Sequence, residues 1–161
     1  MTAPHLVLGL GNELFTDEGI GVAASRRFAD LGIPEVEVVD GGTLGIALLP
    51  TVAGRRSILI FDAIVASDAH PGDIIVLESS EVRQGSRIMY SAHQLGISEV
   101  LAAAELAGGP EPDVAAVGLV PYSLETGYGV TAEAEDRIPA MVERGMEILA
   151  SWGVVEEVAD A

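Results

Sequence analysis

Apolar residues gather in short, nearly unbroken runs at His5–Leu10, Val36–Val39, Ser57–Phe61 and Val114–Val120, with helically periodic stretches between them. Unbroken apolar runs of this length mark strands buried on both faces, as in a parallel sheet. After the first run, Ile20, Ala23, Ala24, Phe28 and Leu31 recur at helical spacing, predicting a helix from about Glu18 to Leu31 that stops at Gly32 and Pro34. Asp40-Gly41-Gly42-Thr43 closes the second run before a helix over about Leu44 to Val52. One more strand, Asp73 to Leu77, follows the third run after a connection containing Pro71-Gly72, too short for a helical crossover. That strand is expected to run antiparallel, at or near an edge.

Residues Ser79 to Ala92 lack a clear period and read as irregular. A helix is expected from about Leu95 to Leu106, stopped by Gly108, Gly109 and Pro110. A final helix spans about Thr131 to Trp152, with Pro139 kinking it or marking its true start; the acidic tail after Gly153 is expected to fray. The rhythm predicts an α/β fold, a three-layer α/β/α sandwich around a mostly parallel five-stranded sheet with one antiparallel strand, as a single domain over residues 1–161.

Composition narrows the chemistry. There is no cysteine, so disulfides, thiolate metal sites and a cysteine nucleophile are excluded, and any metal must be held by oxygen and imidazole. Eight Lys and Arg against 25 Asp and Glu give a formal charge of −17, which repels nucleic acid and anionic membranes and suits a cationic partner. No apolar run approaches the roughly 18 residues of a membrane span. The N-terminus has no basic segment ahead of its apolar run, so the chain is expected to be soluble and cytoplasmic.

The densest local signal is Leu6 to Gly21, LVLGLGNELFTDEGIG, in which a strand enters a glycine turn and meets Asp17 and Glu18 at a helix start. Gly9-Leu10-Gly11 resembles the opening of a dinucleotide-binding turn, but Leu14 stands where the third glycine belongs and two carboxylates occupy the place of a pyrophosphate. No nucleotide is therefore expected. Glu18, Asp40 and Asp62 all follow strands in the sense that brings them to the carboxyl end of a parallel sheet, where sites form at a topological switch point. Glu18 and Asp62 with His93, at the start of a later helix, make a ligand set suited to zinc or nickel with open positions. Each residue also has a structural reading: Glu18 complementing its helix's positive end for about 0.3–1 kcal/mol, Asp62 capping a loop, His93 capping its helix. Chemistry alone leaves both open. His5 and His70 carry less signal, and no HExxH helix, P-loop or nucleophile elbow is present.

Gly9-Leu10-Gly11-Asn12-Glu13-Leu14-Phe15-Thr16-Asp17-Glu18-Gly19-Ile20-Gly21, then Asp40-Gly41-Gly42-Thr43, Asp62-Ala63 and Ser91-Ala92-His93-Gln94-Leu95-Gly96, come in the order found in a known family. In these blocks the sequence resembles the hydrogenase maturation proteases, endopeptidases that process the large subunit of nickel-iron hydrogenases. The resemblance implies that Glu18, Asp62 and His93 contact the metal and carry catalysis. Asp40 would be a nearby supporting carboxylate beside Asp17, and Thr43 and Gly42 part of the loop around the cleft. It further implies removal of a short C-terminal peptide from the large-subunit precursor once nickel is inserted, with the nickel supplied by that precursor. A competing expectation is a non-catalytic nickel-binding or checkpoint module that inspects the precursor with the same three residues.

Overall fold

The computed structural model describes residues 2–84 and 92–157, with residues 92–95 as backbone only. Five strands, β1 (His5–Leu10), β2 (Val36–Gly42), β3 (Ser57–Ala63), β4 (Ile74–Leu77) and β5 (Asp113–Leu119), form one sheet in the order β2-β1-β3-β5-β4. All pairs are parallel except β4 with β5, so the short strand after Pro71-Gly72 is the antiparallel edge that its connection predicts.

Strand pleating sends alternate side chains to opposite faces, and each face buries its own core. Val7, Leu59, Phe61 and Val117 meet α1 (Ile20–Ala29) and α6 (Ile138–Ser151), where Phe28 lies against Phe61 with ring centroids 5.8 Å apart. Leu6, Leu8, Ile58 and Ile60 meet the opposite layer, formed by α2 (Leu49–Val52), α3 (Ser79–Gln84) and α4 (Ala92–Leu106). Each large side chain fully buried here contributes about 1.5–3 kcal/mol, so the two apolar interfaces dominate the stability of the sandwich.

From β1 the chain crosses by α1 to β2, then returns past β1 to β3 on its other side. This reversal opens a crevice between the carboxyl ends of β1 and β3, the standard place for a site in such sheets.

Several boundaries differ from the sequence expectation. The helix expected from Glu18 starts instead as a 3₁₀ turn, Thr16–Gly19, before α1 begins at Ile20; Leu31 lies beyond its end and is exposed. β2 and β3 run on through Asp40 and Asp62, because their ladders persist: Gly9 pairs with Asp40, and Asp62 with Gly118. The segment read as irregular forms α3 over its first residues, and α4 begins at Ala92 rather than Leu95. The last helix is two, a single turn α5 (Ala132–Glu135) and then α6, with Pro139 in the first turn of α6, where its missing N–H costs nothing. Val154 and Val155, in the tail expected to fray, are half-buried against the α1–α6 core.

Candidate functional site

Two close approaches set the geometry at the crevice. Gly11 has φ 134°, and a Cβ there would stand 1.9 Å from the Glu18 carbonyl oxygen, so only glycine lets the 3₁₀ turn fold back over the end of β1. Gly21, in the first turn of α1, lies flat on the sheet: its Cβ would stand 2.2 Å from the Phe61 carbonyl oxygen and 2.3 Å from that of Leu10. Helix α1 thus begins directly above the ends of β1 and β3. The 3₁₀ turn that carries Glu18 packs on β3, the strand that ends in Asp62-Ala63.

Asp62 is only 1% exposed, and its Oδ1 accepts a hydrogen bond from the Ala63 N–H at 2.8 Å. Its neighbours along β3 divide cleanly, with Ile58 and Ile60 in the core beneath α4 and Leu59, Phe61 and Ala63 in the core beneath α1 and α6. The pleat therefore sends Asp62 to the α4 side of the sheet. The N-terminal turn of α4 is at the same end, since Gly96 lies against Gly45, and Ile97 lines a small cleft with Leu10, Gly42, Thr43, Gly45 and Leu48. His93 is the second residue of α4; its side chain lies outside the described residues.

The structure thus brings half-buried Glu18, buried Asp62 and the start of α4 to one end of the sheet, with Thr43 on the rim of the cleft. Among the described residues no group of three His, Asp or Glu side chains is placed to hold a metal ion, and the third donor of the expected set, His93, is not among them. The donor types fit a borderline divalent ion, with two carboxylates and an imidazole to draw on.

Asp40 is engaged elsewhere. Its carboxylate accepts a hydrogen bond from Arg26 of α1 at 2.9 Å, and Arg26 also donates to Glu13 at 2.6 Å. The Glu13 hydrogen bond, followed by the attraction of both carboxylates, holds the Arg26 guanidinium above its ordinary pKa. Asp40 is thereby a tie between β2 and α1 at the rim.

Asp17 has a role that the sequence does not disclose. It is fully buried, and its carboxylate accepts hydrogen bonds from the N–H groups of Tyr122 (2.9 Å), Ser123 (3.1 Å) and Thr131 (2.7 Å) and from the Thr131 hydroxyl (3.1 Å). Burying a carboxylate is tolerable only with such a set of donors. Thr131 also caps α5 by accepting from the Ala134 N–H, so one residue joins the cap to the buried acid. Thr16 completes the clamp: it takes a left-handed φ of 49°, unusual outside glycine, while its hydroxyl donates to the Ser123 carbonyl at 2.8 Å. Tyr122, Ser123 and Thr131 carry no sequence signal for this role beyond the capping residue Thr131 itself, ahead of Ala132-Glu133.

Comparison with known proteins gives a consistent picture. Residues 23–148 match the family model described as hydrogenase maturation protease. The chain is similar to the hydrogenase 2 maturation protease of Escherichia coli, 39% identical over 154 residues and covering 92% of both chains. It is 40% identical to the hydrogenase expression/formation protein HupD of Rhizobium leguminosarum, covering 92% of this chain and 75% of that one. Among solved structures, the hydrogenase maturating endopeptidase HybD from Escherichia coli superposes with a TM-score of 0.82 at 37% identity, over 92% of this chain and 93% of that chain. The [NiFe] hydrogenase maturation protease HybD from Thermococcus kodakarensis gives a TM-score of 0.75 at 27% identity, over 89% and 97%.

Proposed function

The chain belongs to the hydrogenase maturation protease family, and from that premise we propose that it is the endopeptidase that removes a short C-terminal peptide from the nickel-loaded large-subunit precursor of a nickel-iron hydrogenase. The observation that supports this reading is that Glu18, on a 3₁₀ turn packed against β3, and Asp62, near the end of β3, lie at the same end of the sheet, where α4 begins at Ala92-His93.

Peptide hydrolysis requires a water nucleophile, a base and stabilisation of the developing oxyanion. Glu18, half-buried on the 3₁₀ turn and reachable by water, or Asp62 serves as the base when it is not itself holding the metal. Asp62, held in the sheet and almost wholly removed from water, offers a carboxylate oxygen fixed in position where a cation is to sit. Catalysis thus rests on carboxylates, with His93 as the third contact. Nickel enters as part of the precursor, and Glu18, Asp62 and His93 are the residues that would hold it. When bound it supplies a Lewis-acid charge that polarises a carbonyl.

We assign the protein to the cytoplasm. Among the described residues no helix is long and apolar enough to cross a membrane.

The test is to mix the protein with nickel-loaded and nickel-free precursor and weigh the precursor by mass spectrometry. Loss of a short C-terminal segment only with nickel supports the protease. Binding with no change of mass would instead favour the checkpoint module. His93→Ala is expected to abolish processing, and normal cleavage by that variant would remove His93 from the site.

A further inference from the structure

The described large apolar side chains that remain exposed are unevenly placed. Leu14 and Phe15 follow β1, Leu44 and Ile46 follow β2, and Tyr122, Leu124 and Tyr128 follow β5, all at the carboxyl end of the sheet that carries Glu18 and Asp62. The others, Leu31 and Leu106, lie at the carboxyl ends of α1 and α4 and so at the opposite end of the sheet. Large apolar residues grouped on one rim mark an interaction surface, whereas scattered ones need no explanation.

The parts of the rim after β1 and after β5 are also tied to each other. The segment 13–17 and the segment 123–129 are laced together by Thr16 N–H to the Gly127 carbonyl at 2.9 Å, Gly127 N–H to that of Leu14 at 2.9 Å, and Gly129 N–H to that of Glu13 at 3.1 Å. Phe15 and Gly127 form a β-bridge, and Asp17 bonds the same loop from beneath. Tyr128, 78% exposed, and Leu14, 60% exposed, are therefore presented to solvent from a fixed platform that runs directly into the Asp17-Glu18 pair. Presenting such side chains in a preset arrangement lowers the ordering cost of binding.

We infer that this rim, led by Leu14, Ile46 and Tyr128, docks the folded body of the large-subunit precursor through an apolar patch flanked by basic side chains beside its C-terminal extension. The inference rests on the protease reading above. It is supported by the rim's continuity with the crevice, which the extension must reach while the body stays outside. Charge complementarity supports it too: Glu125 is exposed within the rim loop of a chain of formal charge −17. A basic-flanked apolar patch is the surface that such a rim attracts and a like-charged one rejects.

The test compares the rim pair Leu14→Ser with Tyr128→Ser, and separately Ile46→Ser, against Leu31→Ser and Leu106→Ser as exposed apolar controls at the opposite end of the sheet. With nickel-loaded precursor as substrate, the rim variants are expected to raise KM about tenfold or more with kcat within about twofold, while the controls match wild type. Calorimetric binding of each variant to the same precursor reads docking even if no peptide is cut, so a failure of the protease reading shows as a wild-type protein that binds but does not cleave. Unchanged affinity in the rim variants, or equal losses in the controls, overturns the docking surface. Wild-type protein that fails to bind the precursor overturns it as well. Thermal midpoints equal to wild type show that the substitutions leave the fold intact.

Discussion

Replacing Asp17 with Asn keeps the size of a buried side chain but removes its charge and one of its two acceptor oxygens. In the native chain, one oxygen receives the Thr131 N–H at 2.7 Å, and the other receives Tyr122 N–H, Ser123 N–H and the Thr131 hydroxyl. An asparagine oxygen can occupy the second place and keep those donors, but its NH₂ then faces the Thr131 N–H, donor against donor. Hydrogen bonds to charged groups are worth about 1.5–3 kcal/mol, and a buried donor left without an acceptor costs about 1–3 kcal/mol. One bond lost and the rest weakened to neutral strength give a destabilisation of about 3 kcal/mol, a large part of the roughly 5–15 kcal/mol that holds a domain folded. With a urea slope of about 1–3 kcal/mol/M, the unfolding midpoint should fall by about 1–3 M with the slope unchanged. Asp17→Ala, which leaves every one of these donors without the carboxylate, should fall further. In folded Asp17→Asn, processing should slow as well, because the 3₁₀ turn that seats Glu18 loses its anchor. An Asp17→Asn midpoint within about 0.3 M of wild type would refute the claim that this carboxylate holds the loop.

Gly21→Ala sets a methyl group against the carbonyl oxygens of Phe61 and Leu10; overpacking of this kind costs about 1–3 kcal/mol, and because the helix must lift, processing activity should fall out of proportion to the stability lost in a melting assay. Arg55 is 2% exposed and donates to the Ala3 carbonyl, the Thr51 carbonyl and Glu37, so Arg55→Leu should cost about 2–4 kcal/mol by denaturant titration while leaving kcat of the folded fraction unchanged. Under the proposal that the metal arrives with the substrate, enzyme dialysed against a chelator should process nickel-loaded precursor at an undiminished rate. A rate restored only by adding metal to the enzyme would show a resident ion instead.

The sheet is legible in the sequence because its three central strands, β1, β3 and β5, are buried on both faces and read as unbroken apolar runs, while the antiparallel edge is betrayed by a connection too short to cross over. Strand ends are less legible. Asp has a poor strand propensity, yet Asp40 and Asp62 stay within their ladders because the backbone pairing that decides the matter is tertiary. The pair Asp17-Glu18 shows the same limit at the site. Adjacent carboxylates at a helix start look alike in sequence, and only the arrival of Tyr122, Ser123 and Thr131 buries one of them and leaves the other reachable. The resemblance picked out Glu18, Asp62 and His93 from motif order, while the work of Asp17 depends on a loop that no local spacing connects to it.

The distance along the chain between those partners has a bearing on biosynthesis. Asp17 and Thr131 are separated by 114 positions, so the residue that steadies Glu18 from below finds its donors only after most of the polypeptide has been made. A nascent or truncated chain that stops before this loop holds the motif but not the clamp. The proposed proteolytic centre would thus be assembled late, because an incomplete copy lacks the donors that hold the turn carrying Glu18.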